Sequence, residues 1–103
     1  MEDLNGIAEY IALDNPRAAA ALVQRVVGHV ELLARQPRLG SRIPELLPDA
    51  RYRQIVESPC RVFYRYDAGS DTNFVLHVMR GERLFQRRLL FKRDRREAPF
   101  KPL

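Results

Sequence analysis

The sequence predicts an α+β fold in which an N-terminal hairpin of two helices packs on an antiparallel sheet of three to four strands. Two observations support this prediction. Apolar residues recur at helical spacing between residues 4 and 33, and runs rich in Val, Ile, Tyr and Phe follow between residues 51 and 80. A chain of 103 residues is long enough for one domain with its own core and too short for two.

Two amphipathic helices are predicted at the start of the chain. One stripe of the first helix carries Leu4, Ile7, Ala8 and Ile11. Pro16 ends this helix because it disfavours a helical Asn15, and Asn15 then serves as the N-cap of the second helix. The second helix has a longer apolar stripe made of Ala19, Leu22, Val23, Val26, Val27, Val30 and Leu33. It ends at Gln36-Pro37 and Gly40, and we expect the sheet to cover the apolar side of this hairpin.

The second half of the chain is predicted to form strands. Residues 41–50 contain two prolines and no periodic pattern, which indicates a loop. Strands are then expected over residues 51–57, 60–67 and 73–80, with residues 68–72 as a hairpin loop. These segments predict an antiparallel meander that follows the helical hairpin.

The register of the last hairpin decides which side chains meet. If the hairpin closes symmetrically, Tyr66 pairs with Asn73. Arg61 then pairs with Val78 and becomes a diagonal neighbour of Arg80 on one face of the sheet. In that register the opposite face carries Val62, Tyr64, Tyr66, Val75, His77 and Met79. A slip of one residue would separate the two arginines, and the pattern leaves open which face meets the helices.

The C-terminal part of the chain is basic. A short helix is expected over residues 84–91 and a loose tail over residues 92–103. From residue 80 onward there are nine cations and three anions, whereas residues 1–79 hold nine cations and ten anions. The net charge of +5 is therefore a C-terminal property and indicates an acidic partner. We predict one domain over residues 1–84 and a basic extension over residues 85–103.

Several classes of function receive no support from the sequence. With Cys60 as the only cysteine, the chain has no internal disulfide and no multi-cysteine zinc site. No long apolar segment or signal peptide is evident, which favours a cytoplasmic protein without a membrane partner. There is no glycine-rich phosphate loop or paired carboxylate, and His29 and His77 are isolated. We therefore assign no catalytic residue, metal ligand or cofactor, and we expect structural roles for both histidines.

Three arginines are the candidate binding residues: Arg61, Arg80 and Arg83. A guanidinium is always charged, and its planar fork of donors suits carboxylates and phosphates. The alternative is structural, with Arg61 paired to a carboxylate such as Glu57 or Glu45 and the other two arginines at an exposed end of the sheet. Three arginines beside a basic segment favour contact with an acidic target or partner.

Five segments in this order resemble the RelE/ParE family of bacterial toxins. They are Leu4-Asn-Gly-Ile-Ala-Glu-Tyr-Ile11, Asp14-Asn-Pro16, Gln36-Pro-Arg-Leu-Gly-Ser-Arg42, Arg61-Val-Phe-Tyr-Arg65 and Val78-Met-Arg-Gly-Glu-Arg83. The resemblance implies two helices on an antiparallel sheet, in a toxin of a type II toxin-antitoxin (plasmid stabilisation) system. It also implies a cognate antitoxin that neutralises the toxin, in a complex of both proteins. Family members usually begin with a short strand ahead of the first helix, and this chain begins almost inside that helix.

The resemblance leaves two branches, one that inhibits DNA gyrase and one that cleaves mRNA on the ribosome. In the ribonuclease branch a strand arginine holds the phosphate, which Arg61 matches, and a histidine or tyrosine near the C-terminus acts as acid or base. Here Arg80 stands where that histidine is often found, and no tyrosine follows Tyr66. Because arginine is a poor general base, we favour a non-enzymatic, ParE-like gyrase inhibitor. The alternatives are a RelE-type endoribonuclease and a truncated, non-toxic member that binds the antitoxin.

Overall fold

The computed structural model describes residues 2–81 and 84–97. Arg83, one of the candidate binding residues, lies outside these residues. The elements in chain order are α1 (Glu2–Ala12), α2 (Pro16–Leu32), β1 (Ser41–Arg42), a 3₁₀ helix (Pro44–Leu46), β2 (Tyr52–Glu57), β3 (Cys60–Asp67), β4 (Thr72–Arg80) and α3 (Arg87–Glu97). This arrangement confirms the predicted α+β class with N-terminal helices packed on an antiparallel sheet.

The corner between α1 and α2 forms as the sequence predicts. The side-chain oxygen of Asn15 accepts a hydrogen bond from the backbone N–H of Ala18 at 3.1 Å, and Pro16 occupies the first helical position. This cap satisfies one of the donors that the first turn of a helix leaves unpaired. The two helices therefore turn back on each other without a long loop.

None of the helices in the described ranges is long and apolar enough to cross a membrane.

The sheet has four antiparallel strands in the order β1-β2-β3-β4. The three predicted long strands are present, but the prediction that residues 41–50 form only a loop is wrong. Ser41 pairs with Gln54 and Arg42 with Arg53, which adds β1 to the outer edge of β2. A strand of two polar residues has no apolar alternation from which it could be predicted. Its formation depends on the partner strand.

A β-bulge changes the predicted register of β3 and β4. Near the hairpin loop, Tyr66 pairs with Asn73 as predicted. The bulge lies where Phe63 pairs with His77 and Tyr64 with Val75, and it shifts the rest of the ladder by one residue. Arg61 therefore pairs with Met79 and not with Val78. The predicted placement of His77 and Met79 on the face opposite Arg61 is wrong, whereas Val75 lies with Val62 and Tyr64 as expected.

The two faces of the sheet bury separate cores. The first face packs against the helical hairpin, and its buried core consists of Leu4, Leu22, Val26, Val30, Leu33, Ile55, Cys60, Val62, Tyr64 and Val78. The second face is covered by the 3₁₀ helix and α3, and its buried core consists of Ile43, Leu46, Tyr52, Phe63, Phe74, Leu76, Met79 and Leu90. The sheet is thus the middle layer of a three-layer arrangement.

The expectation of a loose tail is wrong for residues 92–97, which continue the helix that begins at Arg87, and residues 98–103 of that tail lie outside the described residues. α3 runs from Arg87 to Glu97, so it begins later and continues further than the sequence predicts. Leu90 is only 1% exposed in the core of the second face, and Phe91 packs beside Tyr52 with ring centroids 5.6 Å apart. Long-range packing therefore stabilises a highly charged segment as a helix, which its own apolar pattern would not predict.

Candidate functional site

Arg61 is held in a charged cluster on the second face of the sheet. Two of its guanidinium nitrogens donate to the two carboxylate oxygens of Glu45, each at 2.7 Å. The side-chain oxygen of Gln54 accepts two further bonds, from Nε at 2.9 Å and Nη2 at 2.7 Å. The Arg61 side chain is 14% exposed, and its guanidinium lies 5.0 Å from the ring centroid of Phe63. Of the two carboxylates considered from the sequence as partners of Arg61, Glu57 and Glu45, the structure shows Glu45.

The electrostatics of this cluster follow from the same geometry. Hydrogen bonding from Arg61 lowers the pKa of Glu45, and this effect is larger than the opposing effect of burial. A bidentate pair of this kind fixes both the position and the plane of the guanidinium. Gln54 is almost completely buried and depends on Arg61 as its donor. Arg61 therefore stabilises the packing of the 3₁₀ helix, which carries Glu45, against the sheet.

Arg80 lies at the end of β4 and on the other side of the sheet. It pairs with Cys60, which belongs to the core of the first face, and its guanidinium lies 4.9 Å from the ring centroid of Tyr10 in α1. The predicted diagonal contact between Arg61 and Arg80 on one face is therefore wrong. The one-residue shift at the bulge is the physical reason, because side chains alternate between faces along a strand. The two arginines cannot hold one phosphate together in this arrangement.

Arg80 lines a groove of about 560 Å³ beside the outer edge of β4. α1 forms one wall with Gly6, Ile7 and Tyr10, and the segment between β4 and α3 contributes Leu84. Two of the groove's large side chains are highly exposed, with Tyr10 at 60% and Leu84 at 85%. β4 is an edge strand of the described sheet, so the groove lies beside a strand edge and is lined by aromatic, aliphatic and cationic side chains. Such a surface can bind a protein segment.

Both histidines contact side chains of the fold. On α2, Nδ1 of His29 lies 2.8 Å from a carboxylate oxygen of Glu57, whose other oxygen accepts from Nε of Arg25 at 3.0 Å. On the second face, Nδ1 of His77 lies 2.7 Å from a guanidinium nitrogen of Arg93. Within residues 2–81 and 84–97, no three His, Cys, Asp or Glu side chains are grouped so that they could hold a metal ion.

The cluster that attaches α3 to the sheet was not predicted from the sequence. The hydroxyl of Tyr52 donates to Asp94 at 2.8 Å, and Nε of Arg65 donates to the same carboxylate at 2.9 and 3.1 Å. Burial and then the bond to Asp94 raise the pKa of Tyr52 to about 12. Asp94 is the one acid between residues 87 and 96, and that isolated position among cations was the available signal.

The molecule is thus a small α+β protein with arginines on both faces of its sheet and an open groove beside the edge strand. The sequence model of a family described as the ParE toxin of the type II toxin-antitoxin system parDE matches residues 1–85. The chain therefore belongs to the ParE toxin family, which confirms the resemblance found in the sequence. Membership gives it a role in a toxin-antitoxin system with an antitoxin as partner. A search of curated proteins found no relative with a significant match.

Proposed function

We propose that this protein is a ParE-like toxin that inhibits DNA gyrase and is neutralised by a cognate antitoxin in the cytoplasm. Family membership supports the toxin-antitoxin part of this proposal. The choice of gyrase as target rests on the hydrogen bonds of Arg61. Its guanidinium already donates to Glu45 and Gln54 within the fold. A strand arginine committed to the fold favours binding to a protein target over cleavage of RNA.

Phosphate binding by Arg61 would have to replace bonds that already exist. A phosphate oxygen would compete with two carboxylate oxygens at 2.7 Å and with a buried amide oxygen. Displacing them leaves the buried Gln54 without its donor, at a cost of about 1–3 kcal/mol, and also breaks the bidentate bond to the more exposed Glu45. Arg80 cannot assist from the other side of the sheet, and a guanidinium does not act as a general base near neutral pH.

We assign target contact to the groove beside β4, with Arg80 as its charged residue. Tyr10 and Leu84 give this surface exposed aromatic and aliphatic area next to a cation. Tyrosine and arginine are the residue types that most often dominate the energy of protein interfaces. We also assign a role to Arg83, because it follows closely after Arg80 in the sequence. An antitoxin segment that fills this groove would cover the same residues and thereby prevent target binding.

The decisive experiment is a supercoiling assay with purified gyrase and the folded protein. We expect wild type to inhibit supercoiling, and we expect Arg80→Ala and Arg83→Ala each to raise the inhibitory concentration about 10-fold or more. Arg17→Ala is the matched control, because Arg17 is an exposed arginine at the start of α2. It should leave inhibition unchanged. Circular dichroism and thermal unfolding show that each variant is folded.

Two results would overturn the proposal in different ways. Normal supercoiling at excess folded protein, together with rapid mRNA loss and cuts at the ribosomal A site, would identify a ribonuclease. Unimpaired growth on expression without an antitoxin, together with a tight complex with the antitoxin, would identify a non-toxic member. If Arg17→Ala weakens inhibition as much as Arg80→Ala does, general charge and not the groove determines target binding.

A further inference from the structure

The two sides of α3 differ sharply in charge. The side toward the sheet contains the buried Leu90, and Asp94 on that side accepts bonds from Tyr52 and Arg65. Arg93 is also directed toward the sheet, where it lies 2.7 Å from His77. Asp94 is the one acid among residues 87–95, and it is bonded to the sheet. The solvent-facing side of α3 therefore carries no acid from this range.

The outer side of α3 carries a stripe of three cations: Arg88, Lys92 and Arg95. All three are exposed, and none has a hydrogen bond or ion pair with another residue in the part of the chain that the structure describes. Their spacing of i, i+4 and i+7 places them on one line of the helix, over about 10 Å of its length. This set of three is called the basic stripe below.

The basic stripe is unfavourable in the isolated protein. Like charges four residues apart on a helix destabilise it by about 0.2–0.5 kcal/mol per pair. The helix tolerates this repulsion because Leu90, Asp94 and Phe91 attach it to the second face. The stripe is therefore held at a fixed position and spacing, ready to bind a polyanion without first ordering a flexible segment.

We propose that the basic stripe binds the phosphate backbone of duplex DNA without reading its sequence. Duplex DNA presents one negative charge per about 1.7 Å of its axis, so three cations along about 10 Å find several phosphates within reach. Contact releases condensed counterions from the DNA, which supplies the free energy of such binding. This activity is separate from inhibition of gyrase and does not depend on it.

The character of the stripe favours duplex DNA over other polyanions. Single-stranded nucleic acid is usually bound with aromatic side chains on which bases stack. The neighbouring ring, Phe91, packs instead against the second core. An acidic protein partner would need apolar positions between the charges to bury at the centre of the interface. The three positions of the stripe are all cationic, as phosphate contacts require.

The test is fluorescence anisotropy of a short labelled duplex of mixed sequence, titrated with the full chain at several salt concentrations. The stripe variant carries Arg88→Gln, Lys92→Gln and Arg95→Gln. The matched control carries Arg17→Gln, Arg35→Gln and Arg38→Gln, which removes the same charge from exposed positions in and after α2. Unfolding midpoints establish that both variants are folded.

Three phosphate contacts predict a salt slope of about −2.7 in log affinity against log salt concentration. The affinity that these three contacts contribute should then fall about 40-fold between about 50 and about 200 mM salt. We expect the stripe variant to lose this part of the slope and the control to retain it. Equal losses in the two variants would overturn the proposal, because net charge alone would then explain binding. So would a folded wild type that fails to bind the duplex at low salt, or that binds single-stranded DNA or polyglutamate more tightly.

Discussion

The two faces of the sheet are stabilised by different kinds of interaction. The first face, covered by α1 and α2, buries mainly aliphatic side chains such as Leu22, Val26 and Leu33. The second face, covered by the 3₁₀ helix and α3, buries aromatic and aliphatic residues and adds the charged clusters around Arg61 and Asp94. The first face adds hydrogen bonds between neutral groups, such as those of Tyr64, to this nondirectional burial, whereas the second adds charge-assisted bonds with fixed geometry.

This difference separates the roles of the two faces. An aliphatic interface excludes water with many weak contacts and tolerates small shifts. A covered ion pair fixes an element in one position, since moving one partner leaves the other without its bond. The first face is therefore stabilised mainly by apolar burial, and the second also fixes where α3 and its outward cations lie. The predictions below test this division, beginning with the largest effect.

Leu22→Ala should cause the largest loss of stability. Leu22 is 1% exposed at the centre of the first core, and a buried Leu→Ala change leaves a cavity that costs about 3 kcal/mol or more. Leu32→Ala makes the same chemical change on the same helix at a side chain that is 45% exposed. It should cost less than about 1 kcal/mol. Urea unfolding of the two variants measures the difference, and similar losses would contradict an aliphatic core centred on Leu22.

Gly40→Ala should destabilise the folded protein by about 2–3 kcal/mol, because the segment after α2 packs too closely on the sheet at Gly40 to admit a methyl group. A Cβ at Gly40 would lie 2.6 Å from the backbone oxygen of Gln54 and 2.7 Å from the ring of Tyr64. The hydroxyl of Tyr64 also accepts from the Gly40 N–H at 2.9 Å and donates to Pro37 at 2.8 Å. The close approach is what requires glycine here.

Gly28→Ala provides the control for the Gly40 substitution. Beyond its chain neighbours and the backbone of α2 itself, no atom lies within 4 Å of the position that a Cβ at Gly28 would take, so alanine adds helix propensity without a clash. It should stabilise the protein by up to about 1 kcal/mol. Thermal unfolding should therefore shift in opposite directions for the same chemical change. A higher unfolding midpoint for Gly40→Ala as well would show that the contacts of Gly40 with Gln54 and Tyr64 leave room for a methyl group.

How far the sequence predicts the structure differs between the two faces. The helical hairpin and the three long strands follow from local periodicity, turn residues and the Asn15-Pro16 corner. The bulge, in which Leu76 of β4 is left without a partner between Phe63 and Tyr64, is not encoded in any local pattern, and that one extra residue places Arg61 and Arg80 on different faces. α3 likewise depends on Asp94 reaching Tyr52 across 42 positions of the sequence. Local patterns thus predict the scaffold, and long-range pairing places the candidate site.

Arg61→Ala should cost about 2 kcal/mol, less than Leu22→Ala but more than the loss of an exposed ion pair. It leaves the buried Gln54 without its donor and removes the bidentate bond to Glu45. Arg51→Ala is the matched control, because Arg51 forms an ion pair with Asp49 at 2.7 Å but is 67% exposed. That pair should contribute less than about 1 kcal/mol. Equal effects in chemical unfolding would show that the second face gains nothing from covering its charges.

One predicted effect appears only at high pH and concerns Tyr52. Its pKa in the folded protein is about 12, against an ordinary value of 10, because burial and the bond to Asp94 disfavour the phenolate. The folded state therefore keeps a proton that the unfolded state loses. This contribution to stability is present in full below pH 10 and is lost as the pH rises to about 12. The loss amounts to at most roughly 2.7 kcal/mol.

Tyr52→Phe isolates this contribution and compares the two faces once more. The variant should lose less stability than wild type between pH 10 and 12, as measured by urea unfolding across that range. Tyr64→Phe on the first face should change the pH dependence less, because the Gly40 N–H stabilises the phenolate of Tyr64 and opposes the effect of burial. Equal alkaline sensitivity in wild type and Tyr52→Phe would show that Asp94 and burial do not hold that proton. The attachment of α3 through Tyr52 would then be weaker than its 2.8 Å bond indicates.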